Sequence, residues 1–124
     1  MDRENFEGLV ARAVQALPDE FQSRLENVDI VVEDSPTASQ LHSAELKHGE
    51  TLFGLYEGVP QTSRGSNYGL VLPDKITLFL LPIEAACRND DEIRAAIENV
   101  VKHEIAHHFG ISDARLEQIE SGDG

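Results

Sequence analysis

In the first part of the chain, apolar residues recur at three- and four-residue intervals: Phe6, Leu9, Val10, Ala13, Val14 and Leu17. This spacing puts them on one stripe of an amphipathic helix over residues 3–17, which Pro18 breaks. Asp19 can cap a short continuation over residues 20–25, where Phe21 and Leu25 extend the stripe. The pattern then changes. Val28, Ile30, Val31 and Val32 are β-branched and predict a strand over residues 27–34. Residues 35–40 read as a loop, because Pro36 is incompatible with a central strand. Residues 52–58 predict a second short strand, bounded by Gly58 and Pro60. Residues 75–81 predict the strongest strand, which Pro82 stops, and residues 83–87 a helical turn.

A long helix over residues 90–109 follows. Asn89 stands at its N-cap position and Glu92 three residues on, where a capping box needs it, and Asp90 and Asp91 suit the positive end of the helix dipole. Ile93, Ala96, Ile97, Val100, Val101 and Ile105 form its buried stripe. Gly110 sits where a left-handed residue ends a helix, and residues 113–120 allow two further helical turns. Residues 59–73 are small and polar without a period. A stretch of that length is either a plain connection or a flap beside a cleft, with Arg64 and Tyr68 as its polar tips. These elements predict an α+β fold: a small mixed sheet of three or four strands, packed against the N-terminal helix and the long helix. Residues 1–124 are expected to form a single domain.

Composition narrows the function. Ten Lys and Arg against 23 Asp and Glu give a net charge of −13, which repels phosphate backbones and anionic lipid, so no nucleic-acid partner and no membrane partner are expected. Neither a membrane span nor a leader peptide is legible, and Cys87 is the only cysteine, which suits the cytoplasm. A lone thiol is usually a small buried hydrophobe.

The chemistry lies in His103-Glu104-Ile105-Ala106-His107. Four residues apart on a helix, the two imidazoles stack on one face and reach a common point, where they can grip a metal ion. Glu104 points to the side of that point, within reach of a water molecule whose proton it can accept. With 5 His in the chain, this pattern is expected about 0.02 times by composition, so coincidence is a weak explanation. Beyond the Gly110 turn, Asp113 supplies a third, oxygen ligand. It also suits the cap of the final helix, in which case Glu117, one turn on, is the replacement ligand. Two nitrogen ligands favour Zn²⁺ over Mg²⁺ or Ca²⁺, while iron, cobalt and nickel are compatible with the same donors. His108 lies about 100° round the helix from His107 and should pack or hydrogen-bond rather than ligate. His42 and His48 read as surface residues. For stabilising an oxyanion, Tyr56, Arg64, Tyr68 and a strand backbone N–H are all open.

The run His103-Glu104-x-x-His107-x-x-Gly110-x-x-Asp113 resembles the zincin superfamily of zinc peptidases, with metzincin-type spacing and aspartate in place of the third histidine. The whole chain is similar to the small bacterial proteins classed as minimal zincin-like metallopeptidases. The N-terminal helix, the Gly54-Leu55-Tyr56-Glu57-Gly58 strand and the isoleucine-containing strand before the motif match that pattern. The resemblance implies a zinc-dependent peptidase acting on a peptide or protein substrate, with residues 75–81 bordering the cleft and pairing with an extended substrate. Metzincins also have a methionine-containing turn beneath the metal and a C-terminal subdomain. Here Met1 is the only methionine, and 11 residues follow Asp113, which implies a one-sided, open site. The alternative is a non-catalytic zinc-binding module that holds a protein segment uncut in its cleft.

Overall fold

The computed structural model describes residues 1–43, 52–58, 73–112, 114–115 and 118. Helix α1 (Arg3–Gln15) starts where the Asp2 carboxylate accepts from the Asn5 N–H. Helix α2 (Asp19–Arg24) follows with Pro18, not Asp19, at its N-cap, so Asp19 opens the first turn. Strand β1 (Val28–Glu33) leads to α3 (Ala38–Ser43), whose first turn falls in the loop predicted over residues 35–40. The reason is a reciprocal cap: the Gln40 N–H donates to Thr37 Oγ1, and the Thr37 N–H donates to Gln40 Oε1.

Among the described residues, strands β2 (Gly54–Glu57) and β3 (Asp74–Phe79) complete the sheet. β3 ends two residues early because Leu80 already begins α4 (Leu80–Ala86), and Pro82 falls in the first turn, where a missing N–H costs no helical bond. Helix α5 (Asp90–Phe109) has the expected bounds. The expected connection or flap at residues 59–73 lies almost wholly outside the described residues, as do His48, Arg64 and Tyr68.

The strand order is β1-β3-β2, with β1 parallel and β2 antiparallel to β3. The strand expected to receive an extended substrate is therefore central, with both sides occupied; the strand beside the motif helix is β2. Across one face, Ile30, Ile76 and Tyr56 form one row and Val32, Leu78 and Gly54 the next. On this face α1 and α5 build the core. Phe6, Leu9, Val10 and Ala13 meet Ile93, Ile97, Val101 and Ile105, with Phe21 from α2 buried beside them. Ile97 is wholly buried, so truncating it to alanine would cost about 2–5 kcal/mol. That packing fixes the rotation of α5, and with it the direction in which the motif faces.

Candidate active site

Because Ile97, Val101 and Ile105 point into the core, a period of 3.6 residues turns His103 and His107 outward, and both are exposed. The helix is fixed at both ends. Asn89 Oδ1 accepts from the Glu92 N–H at 2.9 Å, while Glu92 reaches one residue past the expected partner and accepts from the Arg88 N–H at 3.0 Å. At the other end Gly110 is left-handed (φ 70°, ψ 28°), as the sequence predicts, and Ile111 N–H donates to the Ala106 carbonyl at 2.8 Å. The chain after the turn is tied back to α2 by Arg115, whose Nη2 lies 3.2 Å from Glu20 Oε2.

The outer edge of β2 lies against α5. Phe79 N–H donates to the Phe53 carbonyl at 2.9 Å, so by antiparallel alternation Leu55 and Glu57 also face β3, while Gly54 and Tyr56 turn their polar groups to the free edge. Only glycine allows this approach. A Cβ at residue 54 would sit 2.5 Å from Val100 Cγ1 and 3.1 Å from the Thr77 carbonyl oxygen. Two residues further along the strand, the Tyr56 N–H donates to Glu104 Oε1 at 2.8 Å. Two hollows flank this contact: one of about 460 Å³ on the side of His107 and His108, the other on the side of Asn99 and His103. Gly54 and Glu104 line both.

Glu104 is half-buried, and burial pushes its carboxyl above the usual range; the Tyr56 N–H and then the His107 and His103 imidazoles pull it back. Such a carboxylate keeps its affinity for a proton, as a general base requires. His103 Nδ1 lies 2.7 Å from the Asn99 carbonyl oxygen, which can only accept. Nδ1 therefore donates to that oxygen, which leaves Nε2 as the ring atom turned towards a metal. Two imidazoles beside a carboxylate suit zinc by donor chemistry. Among the described residues, no group of three His, Cys, Asp or Glu is placed to hold a metal; Asp113 and Glu117 lie outside them.

His108 packs, as its place on the helix predicts, with its ring stacked on Tyr56 at 3.9 Å and 15°. The Tyr56 phenol, left open by the sequence for an oxyanion role, donates to Asp74 Oδ2 at 2.8 Å, and its backbone N–H donates to Glu104. Burial and the Asp74 bond raise the phenol to about 12. Reasoning from sequence missed two residues here. Gly54 carried a legible signal, since glycine inside a strand marks close backbone approach. Asp74 carried none, because its partner is 18 positions away.

A mixed sheet, three-stranded among the described residues, with its antiparallel outer strand laid along a His-Glu-x-x-His helix defines a zincin-type domain. The profile of the zincin-like metallopeptidases matches residues 25–123, and the chain belongs to that family. Its fold is similar to that of a conserved hypothetical protein from T. thermophilus, with a TM-score of 0.56 and 22% identity over 88% of this chain and 94% of that one. No curated protein matches the sequence. Among the described residues, no helix is long and apolar enough to cross a membrane.

Proposed function

We propose that the chain is a zinc-dependent peptidase in which His103, His107 and Asp113 hold the metal and Glu104 is the general base. The observation that carries this reading is the placement of Glu104: half-buried between two outward-facing imidazoles, at the meeting point of two hollows, and bonded to a strand N–H. Asp113 is preferred to Glu117 because the cap beyond the turn is provided by Ser112, whose Oγ accepts from the Arg115 N–H at 3.1 Å.

Zinc held by these residues supplies Lewis-acid polarisation of a carbonyl and lowers the pKa of a water molecule towards about 7. The rest falls to the chain. His103, fixed through Nδ1, keeps its lone pair directed outward, and Glu104 accepts the proton of the attacking water and returns it to the leaving amine. The products are a carboxylate and an amine from one peptide bond. The substrate is a peptide or protein segment lying along the cleft between β2 and α5. The lone Cys87 supports a cytoplasmic setting, and the net charge of −13 argues against nucleic-acid or membrane partners.

The test is incubation of the zinc-loaded protein with a mixed peptide library and identification of products by mass spectrometry. Cleavage should fall by about 10²–10⁴ in Glu104→Gln with zinc retained. Equal inertness of both proteins, with a peptide still bound, would establish the non-catalytic binding module instead.

A further inference from the structure

The Glu104 carboxylate accepts from the Tyr56 N–H, and that donor belongs to an edge strand, the part of a sheet least restrained by pairing. A general base held by a loosely fixed strand would wander. The structure counters this at Tyr56 itself. The phenol reaches across the same sheet face to Asp74, the first residue of the central strand, at 2.8 Å. On its other side the ring lies against the His108 imidazole, 3.9 Å between centroids, and His108 Nε2 is 4.0 Å from Asp74 Oδ2. Asp74, Tyr56 and His108 therefore form a closed set joining β3, β2 and α5. The backbone of the middle member delivers the hydrogen bond to Glu104.

We infer that Asp74 and Tyr56 are positioning residues for Glu104: the Asp74–Tyr56 bond fixes the edge strand so that the Tyr56 N–H holds one carboxylate oxygen and leaves the other for the reacting water. With the phenol held near 12, Tyr56 remains a donor to Asp74 across the working range. Placement by half an ångström or so separates a productive base from an idle one, which is why a residue that never touches substrate changes turnover. The inference rests on Glu104 being the general base, but the anchoring is measurable without any reaction.

In the isotope-labelled full chain, hydrogen exchange at the residue-56 amide should quicken on the order of tenfold in Tyr56→Phe and in Asp74→Ala, while the Leu78 amide of the central strand stays as protected as in the unsubstituted protein. Asp74→Asn keeps an oxygen acceptor and should recover most of the protection. In the zinc-loaded protein the same Phe and Ala substitutions lower kcat with KM and zinc content unchanged, and Asp74→Asn recovers part of the loss. An unchanged residue-56 amide in both Tyr56→Phe and Asp74→Ala overturns the inference, as does a general loss of protection that includes Leu78. If exchange responds as stated and no peptide is cut by the unsubstituted protein, the anchoring stands and the peptidase reading fails.

Discussion

At its β1 edge the sheet is finished by a surface cation. Arg3 Nη1 donates to the Val32 carbonyl at 3.1 Å and Nη2 to Asp34 at 2.8 Å, with side chains 48% and 68% exposed. At its β2 edge the same need for a partner is met by Glu104, a half-buried carboxylate on a helix, pressed close by Gly54. Water would serve either edge. The arginine costs little, since a solvated cation stays solvated, whereas Glu104 carries the desolvation that raises its pKa. An edge needing only protection from stray pairing has no physical reason to hold a carboxylate in that way. The β1 edge is closed by a solvated side chain, and the β2 edge by a desolvated one.

Of changes at the two edges, the largest expected effect comes from forcing the β2 edge away from α5. Gly54→Ala should destabilise the protein by about 1–3 kcal/mol in urea denaturation and remove cleavage, because its Cβ meets both Val100 and the β3 backbone. Adding Val100→Ala removes the closer contact and should restore part of the stability. No recovery in the double variant would show that the approach at Gly54 is not what limits this edge.

Much of this asymmetry is legible in the chain, and its cause separates what is legible from what is not. The stripes of α1 and α5, the Asn89 cap and the Gly110 stop are local, with partners within a few positions, so spacing reveals them. The Thr37–Gln40 cap is equally local, and its Thr-x-x-Gln spacing is legible in the chain. The central position of β3 depends on pairing between distant segments, and no local pattern in residues 75–81 tells an edge strand from a central one. For the same reason the motif announced Glu104 while its donor, Tyr56, 48 positions away, could be named only as a candidate for another task.

A smaller effect sharpens the comparison through pH. Burial holds Glu104 above its unfolded value, so the metal-free protein bears the cost of a buried carboxylate at neutral pH and sheds it as Glu104 takes up a proton. Metal-free Glu104→Gln should therefore have a higher Tm than the unsubstituted protein at pH 7. The gap should close as the pH falls towards the ordinary glutamate value of about 4.3. Thermal denaturation followed by circular dichroism across that range measures it, and a gap that is absent or reversed at pH 7 contradicts the desolvated carboxylate.

The smallest effect belongs to the other edge. Arg3→Ala should change stability by less than about 1 kcal/mol and leave peptide cleavage unaltered, because its partners are largely in water. A loss of activity there, measured on the same peptides, would erase the distinction between the two edges.

The metal centre itself is tested most directly by equilibrium dialysis against zinc followed by elemental mass spectrometry. About one tightly held zinc per chain is expected. It should be kept in Glu104→Gln and Glu117→Ala and lost in Asp113→Ala and in the His103→Ala/His107→Ala double variant. Zinc bound equally well by that double variant, or by no form of the protein, would contradict a metal held on this helix.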